Sequence, residues 1–335
     1  MHALCDGLRG RDIETAVLAR RSSRGWLGVR FDVLRRLQPR RQCVVDRAVG
    51  YPVFRAFSPA DVVDEALERF RPDSVVIHAH TGMEMAERVL AAGKRAVICV
   101  RDTRFDDLGG EIPRHENAVY VANSAFTASS FLKRYELHAE VSPPLVDPDR
   151  YRVEAGGDRV LFFNPHPLKG LDTALQLVAR RPDIEFDFVE TWPLTTEVRA
   201  RLAEIVPRHA NLTLHAPRKD VREFYARARC VMIPSLQDPE RWEEAWGRVA
   251  TEAQVSGIPA LATNGGGLPE SVGPGGILVD PSAPFDAWEA GLSRLCDDDA
   301  EHARLSAAAL EYSRRDEIKP ARIIDEFIRA IDPAR

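Results

Sequence analysis

Two carboxylates eight residues apart, Glu244 and Glu252, flank a glycine in the segment Glu-Ala-Trp-Gly-Arg-Val-Ala-Thr-Glu. The segment follows a short apolar run, residues 230–233, that is typical of a buried strand. The alanine-rich residues after Gly247 predict a helix that ends at Gly257. We therefore expect Gly247 at a helix N-terminus, where free backbone N–H groups can bind an anion. Since glycine has no side chain, a diphosphate could approach closely there.

The two carboxylates need a different partner, because they would repel a phosphate group. Carboxylates accept hydrogen bonds from hydroxyl groups, as on a sugar and a ribose. Glu244 and Glu252 would then bind the two ends of a ligand whose phosphates lie between them. The alternative is that both are solvated residues of an ordinary amphipathic helix.

Two other segments have the same strand-to-helix character. In residues 162–178, Lys169 follows a predicted strand and a proline-rich loop, and a helix begins near Gly170. In residues 259–273, a strand leads into three glycines and Leu-Pro-Glu, and Gly266 and Gly267 allow close backbone approach. The sites at Gly247 and Lys169 together predict one anionic ligand held from two sides, whereas the three glycines alone are weak evidence. Lys169 as a surface lysine, and the glycines as a flexible turn, are the alternatives.

The elements that must position these residues alternate along the chain. Apolar runs predict strands at 15–18, 74–79, 96–100, 119–122, 159–163, 186–189, 230–233 and 259–262. Amphipathic segments predict helices at 60–70, 83–92, 125–135, 171–180, 196–206, 221–228 and 317–331. This alternation predicts parallel sheets with crossover helices, and hence an α/β fold.

A proline- and glycine-rich stretch at 142–159 interrupts the alternation and is typical of a linker. We predict two doubly wound domains, residues 1–145 and 146–315. Residues 316–335 then form a C-terminal helix that packs back toward the first domain. A closed (β/α)8 barrel is the alternative fold.

The composition is that of a globular protein, with 44% hydrophobic and 29% charged residues among 335. No apolar run approaches the ~18 residues of a membrane span, and no secretory leader is visible. The five cysteines are scattered, which argues against a zinc site and favours reduced thiols in the cytoplasm. Residues 1–55 contain twelve arginines and five acids. This basic segment could contact an anionic membrane surface or substrate, or simply be a solvated arginine-rich surface.

The order of the motifs resembles a known family. NP-x3-KG, then PS, then E-x-x-G-x4-E-A-x3-G-x-P, then GG-x-x-E resemble the donor-binding half of the family-four (GT4) retaining glycosyltransferases, which have the GT-B fold. The resemblance runs from about Arg159 to Pro281. It is weaker in the first half, where DSVVIHAH, VANSAFTASSFLKRY and PPLVDPDRYRV resemble family segments. It implies two Rossmann-like domains that face a central cleft.

The resemblance also implies roles for matching residues. Glu244 would contact hydroxyls of the transferred sugar, Glu252 would bind the nucleotide ribose, and Lys169 would neutralise the diphosphate. The remaining donor-binding residues would be the backbone amides of Trp246, Gly247 and Arg248, the sugar-side Gly266 and Gly267, and Arg218 near the base. The reaction would be a front-face displacement in which the leaving phosphate acts as the base.

Three positions depart from the family pattern. Asn164 and Phe163 stand where the family usually has an arginine, so the diphosphate grip would depend more on Lys169, with Arg248 or His166. Arg101 replaces a histidine after the strand at 96–100, and it could hold a phosphate or sugar oxygen but not act as a base. The first strand of the family's first domain is not seen in the chain, which begins within the helix expected after it.

The resemblance implies a nucleotide-sugar donor, with a UDP-sugar as the default, and no cofactor or metal. The acceptor stays open among a glycan, a lipid-linked molecule and a small molecule, and no nucleic acid is expected. A non-catalytic or truncated relative that binds nucleotide sugar is the alternative, as is another GT-B enzyme such as an epimerase. The triplet Asp297-Asp298-Asp299 imitates a metal-binding motif, but we interpret it as a helix cap.

Overall fold

The structure is a computed structural model that describes residues 1–21, 25–38, 41–78 and 82–334, without the side chains of residues 25–27. The first domain contains helices α1–α5, which span His2–Arg9, Gly25–Leu37, Val63–Phe70, Gly82–Ala91 and Ala125–Tyr135. Its strands β1–β7 span Val17–Arg20, Val44–Asp46, Val53–Ala56, Ser74–Ile77, Arg95–Val100, Ala118–Ala122 and Glu140–Val141. They form a three-stranded sheet of order β1-β3-β2 and a parallel four-stranded sheet of order β4-β5-β6-β7.

The second domain is built on one parallel six-stranded sheet. Its strands and the hairpin beside it, β8–β15, span Arg159–Phe163, Phe186–Val189, Leu212–His215, Ala228–Ile233, Gln237–Asp238, Trp242–Glu243, Ala260–Thr263 and Gly276–Val279. Helices α6–α13 span Leu171–Arg180, Thr196–Ile205, Arg222–Ala226, Arg248–Gln254, Leu268–Val272, Asp286–Cys296, Asp299–Tyr312 and Pro320–Ile331.

The sheet order of the second domain is β10-β9-β8-β11-β14-β15. The chain moves outward from β8 in one direction and, after returning through β11, in the other. In such sheets a crevice forms at the carboxyl ends of the two strands where the order reverses. Here those strands are β8 and β11, which pair in parallel. The strands bury apolar side chains on both faces, as a sheet covered by helices requires.

The last helix, α13, packs against the first domain. Ile323 and Phe327 are buried in one cluster with Val97 of β5. The Arg95 Nε donates a hydrogen bond to the Ala330 carbonyl oxygen at 2.6 Å. The chain therefore crosses back after the second domain and covers the sheet of the first. No helix in the described ranges is long and apolar enough to cross a membrane.

The predicted α/β architecture with two doubly wound domains is confirmed, and the barrel alternative is wrong. The predicted strands at 159–163 and 186–189 and the helices at 125–135 and 171–180 have the observed bounds. The strand predicted at 74–79 is observed as Ser74–Ile77, and residue 79 lies outside the described residues. The sequence did not predict α2, β2, β3, β7, β10, β12, β13 and β15. The strands have only two to four residues, too few to show a period, and α2 is rich in arginine.

Candidate active site

A cleft of about 1110 Å³ lies between the two domains. Residues that follow β4, β5 and β6 line one wall, and residues that follow β8, β9 and β11 line the other. Of the residues predicted for the site, the cleft is lined by Arg101, Asn164, Lys169, Glu244, Trp246, Gly247, Arg248 and Glu252. The carboxyl ends of both sheets therefore meet at one ligand-sized space.

Lys169 and Glu244 form a direct ion pair in this cleft. The Lys169 Nζ donates a hydrogen bond to the Glu244 Oε2 at 2.6 Å, and both side chains are largely buried, at 11% and 13% exposed. The Ser235 hydroxyl donates to the same oxygen at 3.0 Å. Lys169 lies in the segment after β8, and Glu244 directly follows β13 in the segment between β11 and α9. Since β8 and β11 are adjacent strands, these two segments meet above their ends. This ion pair places the Lys169 cation in direct contact with the Glu244 carboxylate, which can accept hydrogen bonds from hydroxyl groups.

Gly247 is the N-cap of α9 and has a φ of 85°, a left-handed conformation that favours glycine. A Cβ at this position would lie 2.5 Å from the Leu268 Cδ2. Glycine is thus required at position 247 both by the backbone conformation and by the close packing of the Leu268 side chain. Gly247 lines the cleft, as do Glu244 and Glu252.

Gly266 and Gly267 support this loop from behind. A Cβ on Gly267 would lie 2.2 Å from the Ala245 carbonyl oxygen, and one on Gly266 would lie 2.4 Å from that of Glu244. The Gly267 N–H donates a hydrogen bond to the Glu244 carbonyl oxygen at 2.7 Å. The two glycines therefore fix the backbone that carries Glu244. Their contact with a sugar stays a prediction.

Glu252 is buried in α9, with 12% of its side chain exposed. Its Oε2 accepts a hydrogen bond from the hydroxyl of the fully buried Tyr225 at 2.9 Å, and its Oε1 lies 2.9 Å from the Arg248 Nη2. Burial raises the pKa of Glu252, and Arg248 and the tyrosine hydroxyls partly offset this. Because a buried carboxylate is costly, the position suits a ligand that supplies hydrogen-bond donors.

Asn164 uses its side chain within the protein. It has a positive φ of 58°, and its Oδ1 accepts hydrogen bonds from the backbone N–H of Thr191 at 3.2 Å and of Trp192 at 2.7 Å. Asn164 thereby holds the loop after β9 against the end of β8. Arg218 has 64% of its side chain exposed and lies 3.8 Å from Glu223. It does not line the cleft, although its neighbour Lys219 does; its contact with a base stays a prediction.

Arg101 lies on the wall of the first domain, after β5. Its contacts within the described residues are long: 3.4 Å from Nη1 to the Ser142 carbonyl oxygen and 3.9 Å from Nη2 to the Cys99 Sγ. Asn123, after β6, donates to the Arg101 carbonyl oxygen, while its buried Oδ1 has no partner among the described residues. Arg101 and Asn123 both line the cleft, so this wall contains a cation beside a buried amide oxygen.

Three features of the site were not predicted from the sequence. The hairpin β12–β13 places Trp242 against Lys169, and the loop after β9 places Trp192 beside it. Glu270, at the end of the GG-x-x-E motif, accepts hydrogen bonds from the backbone N–H groups of Ala125 and Phe126, both at 2.8 Å. It therefore joins the second domain to the N-terminus of α5 in the first. Trp192 carried a weak signal, since it follows the predicted strand at 186–189.

The aspartate triplet has structural partners. Asp298 is the N-cap of α12, accepting a hydrogen bond from the Glu301 N–H. Asp297 pairs with Arg181 at 2.7 Å, and Asp299 pairs with Arg229 at 2.6 Å. The interpretation of the triplet as a helix cap is confirmed.

The second domain matches a protein family. The model of the family described as glycosyl transferases group 1 matches residues 163–312. The D-inositol 3-phosphate glycosyltransferase of Corynebacterium kroppenstedtii is 40% identical over 101 residues, which are 30% of this chain and 21% of that protein. The enzyme of the same name from Paenarthrobacter aurescens is 27% identical over 248 residues, which are 65% of this chain and 57% of that protein. The matched region thus covers less than two thirds of either relative.

Solved structures match over nearly the whole chain. A glycosyltransferase from Rickettsia africae superposes with a TM-score of 0.77 at 12% identity, covering 99% of this chain and 93% of that one. Anabaena HepE in complex with UDP-glucose superposes with a TM-score of 0.72 at 17% identity, covering 98% and 94%. At such identities the likeness concerns the fold. The protein therefore has the two-domain GT-B fold predicted from its motifs, and residues 163–312 of its second domain match the model of the glycosyl transferases group 1 family.

Proposed function

We propose that this protein is a retaining glycosyltransferase that moves a sugar from a nucleotide-diphosphate donor to a hydroxyl group of an acceptor. The observation that carries the proposal is the loop from Glu244 to Glu252. It presents two largely buried carboxylates, with the Gly247 amide between them, at the switch point of the sheet. Carboxylates at both ends suit hydroxyl groups of a sugar and a ribose, and the amide between them suits a diphosphate.

In this reaction the bond between the sugar C1 and the diphosphate oxygen breaks, and a bond from C1 to the acceptor oxygen forms on the same face. The acceptor proton passes to the departing phosphate. Lys169 then neutralises the charge that develops on the diphosphate, which is electrostatic stabilisation by a preorganised cation. Ion pairing with Glu244 at 2.6 Å holds the ammonium at the sugar end of the cleft before the donor binds.

For the donor we propose a UDP-sugar. The support is the fold shared with HepE, whose structure contains UDP-glucose. No cofactor is needed in this proposal, because the nucleotide sugar itself supplies the leaving group. The acceptor would bind at the cleft wall formed by the first domain, where Arg101 makes only long contacts. An anionic small molecule such as D-inositol 3-phosphate, named for the relatives, is therefore the first acceptor to test.

A thermal-shift panel of UDP-, GDP-, ADP- and dTDP-sugars tests the donor. We expect one nucleotide class to raise the melting temperature of the wild type and to lose that effect in Glu252→Ala. If none of the donors raised the melting temperature, the proposal would be contradicted. Release of UDP in the presence of acceptors, with the anomeric configuration of the product read by NMR, then tests transfer with retention.

We also propose that the first domain contacts an anionic membrane surface through α2. Val29, Val33 and Leu37 recur every four residues and are 60%, 50% and 73% exposed. They therefore share one face of the helix. Phe57 is 52% exposed nearby, with the Arg35 guanidinium 5.2 Å from its ring centroid. An exposed apolar stripe beside arginines is the arrangement of an interfacial helix.

Neutralising Arg35, Arg36, Arg40 and Arg41 to glutamine tests this contact; Arg40 lies outside the described residues. We expect weaker co-sedimentation with phosphatidylglycerol vesicles and a weaker dependence on salt. The matched control neutralises four exposed arginines of the second domain, Arg180, Arg201, Arg208 and Arg304. Equal vesicle binding by both variants at low salt would show that the membrane proposal is wrong.

A further inference from the structure

We propose that Trp192 and Trp242 are the walls of the subsite for the transferred sugar, and that the Trp242 indole N–H donates a hydrogen bond to one sugar hydroxyl. Trp242 would thereby help to determine which sugar is accepted. The inference rests on the proposed function, because it concerns the donor of that reaction.

The two rings lie together at the sugar end of the cleft. Their centroids are 5.7 Å apart and their planes are inclined by 76°. The Lys169 Nζ lies 4.7 Å from the Trp192 ring centroid and 4.3 Å from that of Trp242. Since Lys169 also bonds Glu244, the two rings, the ammonium and the carboxylate border one volume. Both tryptophans line the cleft.

The indole N–H of Trp242 is buried without a hydrogen-bond partner among the described residues. Buried indole N–H groups normally have a partner, because leaving one unpaired is costly. Trp246, four residues later, shows the usual arrangement, with its Nε1 donating to the Thr251 hydroxyl at 3.0 Å. The difference between the two indoles points to a partner that a ligand supplies at Trp242.

The combination of groups fits a sugar better than other parts of a nucleotide sugar. Carbohydrates present a face of C–H groups, which packs on aromatic rings, and a rim of hydroxyls that both donate and accept hydrogen bonds. Trp192 and Trp242 offer aromatic surface, Glu244 accepts from hydroxyls, and the Trp242 N–H donates to one. A diphosphate would gain little from aromatic walls and would be repelled by the carboxylate.

The hairpin that carries Trp242 is also held by the first domain. The Arg104 guanidinium lies 5.5 Å from the Trp242 ring centroid. Burial raises the pKa of Glu243, next to Trp242, and a hydrogen bond with Thr103 partly offsets that rise. Trp242 is therefore positioned by contacts from both domains.

The test compares the wild type with Trp242→Phe and Trp242→Ala. Phenylalanine keeps an aromatic face for the sugar and for Lys169 and removes the N–H together with the five-membered ring that carries it. Trp288→Phe is the matched control, since it removes an indole N–H from the core of the same domain, away from the cleft. We measure the Kd for UDP by calorimetry, and kcat/KM by UDP release with UDP-glucose, UDP-galactose and UDP-N-acetylglucosamine.

For Trp242→Phe we expect a Kd for UDP within about twofold of the wild type. The kcat/KM for the preferred donor should fall about tenfold, as for loss of one hydrogen bond. The ratio of kcat/KM between the preferred donor and the other donors should decrease. Trp242→Ala should lose more, and Trp288→Phe should match the wild type.

Two outcomes would overturn the inference while leaving the proposed function intact. One is an unchanged kcat/KM and donor preference in Trp242→Phe. The other is an equal loss of affinity for UDP itself, which would place Trp242 at the nucleotide. A wild type that neither binds UDP nor releases it from any donor would instead contradict the proposed function, and the sugar subsite with it.

Discussion

Replacing Glu252 by glutamine should weaken nucleotide binding and, at neutral pH, stabilise the free protein. The carboxylate is 12% exposed, and burial raises its pKa above the ordinary 4.5. A raised pKa means that folding favours the protonated form of the group. Its contribution to stability is thus fully present below pH 4.5 and is lost as the pH rises through the folded-state pKa. Glutamine resembles the protonated form at every pH.

The size of the effect on binding follows from the hydrogen bonds. A carboxylate that binds the two ribose hydroxyls offers two charged acceptors, whereas glutamine offers one neutral acceptor. Loss of about one hydrogen bond to a charged group costs about 1.5–3 kcal/mol, or about 10- to 150-fold in Kd. The Tyr225 hydroxyl, 2.9 Å from Oε2, can still donate to the amide oxygen. In Glu252→Ala that buried hydroxyl loses its acceptor, which costs about 1–3 kcal/mol.

The assay is a melting curve of each variant from pH 4 to pH 8, with and without UDP, together with calorimetric Kd values. At pH 7 we expect the melting temperatures to rank Glu252→Gln above wild type and wild type above Glu252→Ala. A loss of 1 kcal/mol lowers the melting temperature of a domain of this size by about 2–4 °C. The advantage of glutamine should disappear below pH 4.5.

Two results would refute this reasoning. If Glu252→Gln melts below the wild type at pH 7, the free-energy cost of burying the carboxylate is smaller than the gain from its ion pair with Arg248. If UDP binds Glu252→Gln and wild type equally, the ribose does not use this carboxylate.

Three further predictions concern the surroundings of the site. Lys169→Met should lower the transfer rate about 100-fold, the typical loss for one stabilising donor, measured as UDP release at saturating donor; a rate within threefold of the wild type would contradict it. Glu270→Ala removes the acceptor of the Ala125 and Phe126 N–H groups at the start of α5, which keeps Ser124 as its N-cap, and this should cost about 1 kcal/mol. We expect a larger radius of gyration by X-ray scattering, with Glu270→Gln intermediate, whereas identical scattering would argue against a role in domain closure. Gly267→Ala places a Cβ 2.2 Å from the Ala245 carbonyl oxygen, so it should lower both the melting temperature and the affinity for UDP. An unchanged Kd for UDP would show that the loop adapts to the added Cβ.

The sequence alone determined the elements whose pattern is local. Apolar runs placed β8 and β9, and a 3.6-residue period placed α5 and α6, because a strand or a helix imposes its period on neighbouring residues. The spacing of Glu244, Gly247 and Glu252 placed a glycine and two carboxylates on one loop and the helix after it. These predictions required no knowledge of what packs against them.

Only the tertiary structure decided which distant segments meet. Lys169 reaches Glu244 because β8 and β11 are neighbours in the sheet, an order that the chain does not spell out. Trp192 and Trp242 meet because a loop and a hairpin converge above those strand ends, and Glu270 meets α5 because the domains face each other. Contacts between residues far apart in sequence depend on strand order and on domain placement. Neither leaves a periodic signal in the residues that it brings together.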